Sequence, residues 1–234
     1  MKRVVLTPRG EISFELEYKR VKNVNLRIVP GGEVRVSAPR AASEPLIDGF
    51  VKEKADFILR AVERLRAVSP KKAEREYAEG DALVLFGREY RITLRSAKTC
   101  SVKLADGAAF VFLRNTSEVE QRRRAVRKFL VGELLSVTAA LTERYFPYFA
   151  ARGIAFPTLK IRDMHSRWAS CNTRRGILTF ALALAERPLE CVEYVVMHEL
   201  THFIHPNHSP AFHAEMTHLM PDWRERRAVL RRQE

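Results

Sequence analysis

The stretch that organises this sequence is His-Glu-Leu-Thr-His-Phe-Ile-His-Pro-Asn-His, residues 198–208. It opens with the pattern His-Glu-x-x-His inside a segment, 188–203, that we predict to be a helix. On a helix His198 and His202 lie on one face, four residues apart, so two neutral imidazoles can bind a single Zn²⁺. Glu199 then lies beside the metal, where it can act on a bound water. The stretch predicts a zinc site of the hydrolytic kind, which is most common in peptidases.

Several histidines are candidates for the third ligand, because six of the seven histidines fall between residues 198 and 218. His205 shares the helical stripe, but its Cα would lie roughly 10 Å along the axis from that of His198. Pro206 also favours an end of the helix at residue 205. The following turn can bring His208 back towards the metal, so we predict His208 as the third ligand.

Glu215 is the alternative third ligand, by analogy with zinc enzymes that use a downstream glutamate. The intervening turn makes its approach less favourable than that of His208. We interpret His213 and His218 as residues on the surface of the next helix, which Ser209-Pro210 begins.

The expected chemistry follows from three ligands, which leave one position of a tetrahedral zinc ion open. The ion lowers the pKa of a bound water to about 7. We predict that Glu199 accepts the proton of that water and returns it to the leaving amine, while zinc polarises the scissile carbonyl. A further donor to the oxyanion is expected, and the sequence leaves three candidates open: Arg167, His165 and His205.

Composition excludes some classes of protein. The chain has 234 residues, 46% of them hydrophobic, and no apolar run near 18 residues, so we expect no transmembrane helix. The first residues have too short an apolar core for a signal peptide. The three cysteines are widely spaced without a Cys-x-x-Cys pair, which favours the cytoplasm over a disulfide-bonded secreted protein.

The net charge of +13 favours an anionic partner, nucleic acid above all, through contacts with phosphates. A basic protein that uses arginine freely explains the same charge, and both interpretations stay open. Five cations also crowd the first half of a predicted helix, where they are mildly unfavourable for the helix dipole. They mark either a binding face or a solvated surface: Arg122, Arg123, Arg124, Arg127 and Lys128.

Hydrophobic periodicity predicts an α+β fold with a division at residue 115. In 1–115, apolar residues alternate with polar ones over 12–38 and again over 83–113, which predicts strands, and a helical stripe over 46–65 predicts a helix between them. The turn Asp106-Gly107 is a strong hairpin signal. We find no internal repeat.

The part 116–234 is predicted to be mainly helical. Its first helix opens with the capping-box pattern of Ser117 and Glu120 and ends near Gly153. Two short strands, near 159–162 and 177–182, precede the metal helix. We therefore predict a strand-rich N-terminal unit followed by a zincin-like catalytic domain with a small sheet.

Two motifs together resemble a known family. The first is 198–209, followed by Phe212, and the second is Arg-Trp-Ala-Ser-Cys at 167–171. They resemble the YgjP-like metallopeptidases, relatives of the SprT-like zinc proteases, and the likeness extends to strand-like segments at 25–28 and 32–36.

The resemblance implies that three histidines bind zinc, namely His198, His202 and His208, and that Glu199 is the catalytic glutamate. Arg167, Trp168 and Cys171 match motif positions to which no role is assigned. Two positions depart from the family pattern: Ala169 stands where glycine is usual, and His213 stands where tryptophan is usual.

The leading hypothesis is thus a zinc metallopeptidase that acts on protein or peptide substrates. The alternative is a nucleic-acid-binding protein with a structural or vestigial zinc site. A structural site normally has four protein ligands, and a fourth could come only from His205, His213, Glu215 or a cysteine such as Cys171, none at a usual spacing.

Overall fold

The computed structural model describes residues 1–29, 31–67, 75–164 and 166–232. The chain divides into two compact units, Met1–Arg75 and Glu76–Glu234. Each unit has its own hydrophobic core. The predicted division at residue 115 falls inside the second unit, and it stays a prediction.

The first unit is a four-stranded sheet with two helices. The strands are β1 (Lys2–Thr7), β2 (Gly10–Lys19), β3 (Asn25–Ile28) and β4 (Val34–Pro39), in the order β1-β2-β4-β3. β2 and β4 are parallel, and the outer pairs are antiparallel. Alternate side chains are buried at three positions in each of β2 and β4, which is the alternation that the sequence shows, while Tyr18 near the end of β2 is exposed. The predicted single helix is divided at Lys54 into α1 (Glu44–Glu53) and α2 (Ala55–Ala67).

The second unit begins with another four-stranded sheet. Its strands are β5 (Ala82–Leu85), β6 (Arg88–Ser96), β7 (Ser101–Ala105) and β8 (Ala108–Leu113), in the order β5-β6-β8-β7. β6 and β8 are parallel and the outer pairs antiparallel, so this sheet has the strand order and directions of the first. Asp106 and Gly107 form the predicted turn, both with positive φ.

The rest of the second unit is mainly helical. The 32-residue helix α3 (Val119–Ala150) packs against β7, β8 and α4 (Leu189–Thr201). The expected capping box is not formed, because Ser117 bonds Asn115 and no side chain caps the helix start. A small sheet of β9 (Thr158–Arg162), β10 (Ala169–Asn172) and β11 (Ile177–Ala181) follows, in the order β10-β11-β9. A 3₁₀ helix (Leu182–Glu186) leads into α4, and two helices close the unit, α5 (Pro210–Leu219) and α6 (Trp223–Arg232).

The architecture confirms the predicted α+β fold, with a strand-rich N-terminal region, a helical C-terminal region and a small sheet. Within the described ranges, no helix combines the length and the apolar character that crossing a bilayer requires.

Candidate metal centre

α4 carries the first two histidines of the site. The helix begins after Pro188 and ends at Thr201, with His202 as its C-cap residue. Its buried face is apolar, which fixes the helix in the core between α3 and α6. His198 and His202 therefore project from the same side, with their ring centroids 4.9 Å apart.

The turn after α4 brings in the third histidine. The helix closes with the His205 N–H donating to the Thr201 carbonyl, and Ser209 caps α5 by accepting from the Phe212 N–H at 3.3 Å. Between these two fixed points the chain reverses, and Nε2 of His208 lies 2.9 Å from Nε2 of His198.

The three histidines fit a metal ion. Ligand atoms of His198, His202 and His208 all lie within 4.8 Å of one another. Nitrogens bound to one tetrahedral ion at 2.0–2.1 Å are about 3.3 Å apart, so small side-chain rotations bring these atoms to ligand distances. The buried ring of Phe212 lies 4.8 to 5.0 Å from each imidazole, centroid to centroid, and forms the floor of the cluster.

The surroundings of His198 and His208 favour the neutral form of their imidazoles, which is the form that binds metals. Burial lowers the pKa of His198 to about 3, and the neighbouring His202 and His208 contribute to the shift. The pKa of His208 is also lowered, mainly by burial. Nδ1 of His202 lies 3.1 Å from the His205 carbonyl oxygen, so the tautomer that donates this bond leaves Nε2 for a metal.

Glu199 is buried beside the cluster, with 6% of its surface exposed. Burial raises the pKa of its carboxyl to about 7, and the positive charge of Arg167 opposes the rise. A cation bound by the histidines would lower this pKa further, because an opposite charge favours the carboxylate. Glu199, His198 and His208 line one cavity of about 440 Å³, so the carboxyl faces the space next to the ligand atoms.

The segment 167–171 lies beside the metal helix. Its strand β10 packs against α4, and Arg167 and Trp168 line the same cavity as Glu199. Cys171 lies nearby, and burial followed by the charge of Glu199 raises the pKa of its thiol to about 12. The two motifs that are separated in sequence thus form one site. His165, a candidate oxyanion donor, lies outside the described residues.

The other candidate side chains, those of His205, Glu215 and His213, have partners outside the three-histidine cluster. Nε2 of His205 lies 3.8 Å from Oε2 of Glu215, and the other carboxylate oxygen of Glu215 accepts a hydrogen bond from Tyr148. His213 stacks on Trp223, with ring centroids 5.4 Å apart and planes 7° apart. In the part of the chain that the structure describes, the cluster of metal-capable side chains holds three members, without Glu215 or His213.

Several residues that line the cavity were not predicted from the sequence, among them Tyr194, Trp223 and Arg227. Tyr194 could have been found, because it lies one helical turn before His198 on the same face. Trp223 and Arg227 belong to α6, and only the tertiary packing of α6 against α4 brings them to the site.

Comparison with known proteins agrees with this geometry. No curated protein matches the chain. The model of one family, described as YgjP-like, metallopeptidase domain, matches residues 22–233. This match covers β3, β4, the whole second four-stranded sheet, the three-histidine cluster and Glu199. A metallopeptidase family implies a bound metal ion and a protein or peptide substrate, and the chain belongs to the YgjP-like metallopeptidase domain family.

Proposed function

We propose that the protein is a zinc-dependent peptidase in which His198, His202 and His208 hold the ion and Glu199 is the general base. The observation that carries the proposal is the convergence of three imidazoles, whose ligand atoms lie within 4.8 Å of one another, next to the buried Glu199, and all four residues line one cavity. An imidazole set of this size suits zinc and leaves a coordination position for substrate or water. When bound, zinc supplies Lewis-acid polarisation of a carbonyl and makes water acidic.

Glu199 moves the proton in this proposal. Its carboxylate accepts a proton from the attacking water and delivers it to the nitrogen of the leaving amine. Its position fits this role, because Glu199 is buried beside the three histidines and lines one cavity with them.

Arg167 is our choice for the donor to the oxyanion. It lines the cavity with Glu199 and His198, and its charge acts on Glu199. His205 faces Glu215 instead, which leaves it poorly placed for a substrate carbonyl. A guanidinium in this position offers several N–H donors to developing negative charge.

The alternative, a nucleic-acid-binding protein with a structural zinc site, has less support. Within the described residues the cluster offers three ligands, whereas a structural site normally has four. The basic face of α3 is also largely neutralised. Arg123 pairs with Glu120, Arg124 with Glu118 and Arg127 with Asp163. Arg122 is buried and donates to backbone carbonyls.

We place the activity in the cytoplasm, as the cysteine pattern predicts. Cys100, Cys171 and Cys191 are free thiols, which suits a reducing compartment.

The test combines metal analysis with a cleavage assay. We expect one zinc per wild-type chain and loss of most of it in His208→Ala, while the matched control His218→Ala, an exposed histidine of α5, keeps it. Glu199→Gln should retain zinc and lose about 10²–10⁴-fold in the rate of peptide hydrolysis. Glu190→Gln, an exposed glutamate of the same helix, should keep the wild-type rate.

Two outcomes would contradict the proposal. Zinc bound by a wild-type protein that cleaves nothing in a proteome-derived peptide library would favour the structural alternative. Hydrolysis retained by Glu199→Gln would remove its role as base. Rates that single-stranded DNA leaves unchanged would remove nucleic acid as a partner and leave the peptidase intact.

A further inference from the structure

The cavity beside the histidines extends to the last helix. Its walls are formed on one side by His198, Glu199 and His208, and on the other by residues of α6 that include Arg227, Leu230 and Arg231. The volume of about 440 Å³ is sufficient for one or two amino-acid side chains. A substrate bound at the metal would therefore place a neighbouring residue against α6.

Two arginines of this wall have no ion-pair partner among the described residues. Half-buried Arg227 and exposed Arg231 lie one helical turn apart and both line the cavity. Neither has a carboxylate within 4.0 Å among the residues that the structure describes. Arg226 shows the opposite arrangement, since it is paired with Asp222 and Glu193. Among the described residues that line the cavity, Glu199 is the one with a carboxyl, and the proposed peptidase chemistry already uses it.

Arg227 is held close to the metal ligands by stacked rings. Its Cζ lies 6.0 Å from the ring centroid of Trp223. Trp223 in turn stacks on His213 and on Tyr194, with planes 7° and 9° apart. Burial is the main cause of the lowered pKa of His198 and of His208, and the charge of Arg227 contributes to both. The guanidinium is therefore within electrostatic range of the ligand atoms.

We propose that Arg227 and Arg231 form an anion subsite that selects substrates with a carboxylate next to the scissile bond. The inference rests on the proposed peptidase function and deepens it. An arginine fork matches a carboxylate with two parallel hydrogen bonds, and such charge-assisted bonds are stronger than neutral ones. Leu230 and Trp223 supply apolar surface for the methylene groups that carry the carboxylate.

Two sources can supply this carboxylate: the side chain of an aspartate or glutamate, or the free C-terminus of a peptide. Both present the same group to the arginines, so the experiment has to separate them. Four internally quenched peptides of one parent sequence do this. They combine Glu or Gln beside the cleaved bond with a free or an amidated C-terminus close to it.

The experiment measures kcat/KM for the four peptides with the zinc-loaded full chain. We expect the carboxylate-bearing peptides to be preferred about tenfold over their amide counterparts, and the pair that shows the difference identifies the source. The double variant Arg227→Ala/Arg231→Ala should lose this preference while it keeps zinc and its melting temperature. Arg227→Glu should shift the preference towards a peptide with Lys at the same position. Arg232→Ala, on the same helix but outside the cavity lining, is the control that removes one positive charge.

The outcomes separate this inference from the peptidase proposal. If none of the peptides is cleaved, the peptidase proposal fails, and the subsite is then tested by fluorescence anisotropy of the same labelled peptides on the zinc-loaded protein. Binding that depends on both the carboxylate and Arg227 supports the subsite. Equal cleavage, or equal binding, of carboxylate and amide peptides overturns it. In a further outcome, a single-stranded oligonucleotide competes with the peptides in a way that depends on Arg227, while the carboxylate has no effect on peptide binding. This outcome would assign the arginines to phosphate binding and would also overturn the proposed subsite.

Discussion

The two four-stranded sheets share a topology but differ in what is built on them. In both, two hairpins are joined so that the second and fourth strands run parallel at the centre. β4 and β8 even have the same length and the same number of buried positions. The first sheet is covered by α1 and α2, and among the described residues the buried part of its core runs from Val5 to Ile58. The second sheet shares its core with α3, α4 and the small sheet.

The sheet topology does not itself provide the residues of the candidate site. The sequence of the first unit has no histidine at all, and its sheet closes on two short helices. The second sheet supports the long α3, against which α4 packs, and α4 carries His198 and Glu199 and has His202 as its C-cap residue. The site is thus a property of the helices added after the sheet, held by a core that the sheet helps to form.

The largest expected effect comes from a matched pair of core truncations. Phe14 in β2 and Phe180 in β11 are both buried, at 2% and 0% exposure, but in different cores. Each change to Ala should cost about 3–5 kcal/mol of local stability. We expect Phe14→Ala to lose hydrogen-exchange protection in 1–67 and to keep one zinc per chain. Phe180→Ala should lose protection in 76–232 and bind zinc more weakly, because β11 pairs with β10 next to Glu199. Weakened zinc binding in Phe14→Ala would show that the two cores are not independent.

The positions of the three histidines could be anticipated because local geometry decides them. His198 and His202 are one helical turn apart, and His208 follows after a short turn that Pro206 favours. Their role as ligands stays a prediction, but their convergence needed no knowledge of the tertiary structure. The strand alternation in β2 and β4 was readable for the same reason, since a buried face has a period of two.

The long-range packing of the chain could not be predicted from local geometry. The common order of the two sheets depends on which strands pair, and burial patterns alone do not specify this. The division at Arg75 and Glu76 depends on the core that the second sheet shares with α3 and α4. Arg227 could not be assigned to the cavity because α6 reaches the site only through its packing on α4.

A smaller effect is expected at the turn between β5 and β6, which contacts the start of α4. Gly87 has φ +78°, and a Cβ added there would lie 3.2 Å from Cγ and 3.3 Å from Cα of Pro188, where α4 starts. Gly107, in the other two-residue turn of the same sheet, has φ +75° and no described atom within 4 Å of an added Cβ. Both changes to Ala cost about 1–2 kcal/mol of backbone strain, and Gly87→Ala adds a steric cost at Pro188. We expect Gly87→Ala to lower the free energy of unfolding more than Gly107→Ala does. We expect weaker zinc binding in Gly87→Ala and unchanged zinc binding in Gly107→Ala. Equal effects in denaturant titrations would show that the Pro188 contact does not position α4.

The smallest effect concerns the polar contacts that join α4 to α3 and α6. Glu193 accepts hydrogen bonds from Tyr145 of α3 and from Arg226 of α6. Burial raises the pKa of Glu193, but these two bonds and the positive charges of Arg226 and Arg144 together outweigh it, so the net pKa lies below its ordinary value of 4.5. Burial and the bond to Glu193 raise the pKa of Tyr145 to about 12, so its hydroxyl stays a donor at neutral pH.

Because the folded-state pKa of Glu193 is depressed, its contribution to stability is fully present above pH 4.5 and declines as the pH falls through the folded value. We expect Glu193→Gln to cost about 1–2 kcal/mol at pH 7, a range reduced by the partial exposure of the pair. The cost should shrink as the pH falls below 4.5, and urea titrations in the presence of a chelator would measure it without interference from metal binding. The control, Glu190→Gln, changes an exposed glutamate of the same helix and should follow the wild-type pH profile. A cost for Glu193→Gln that is independent of pH would mean that the side chain stabilises α4 through packing rather than through its charge. In that case Glu193 would stabilise the second unit by packing, as the apolar contacts between the first sheet and its helices stabilise the first unit.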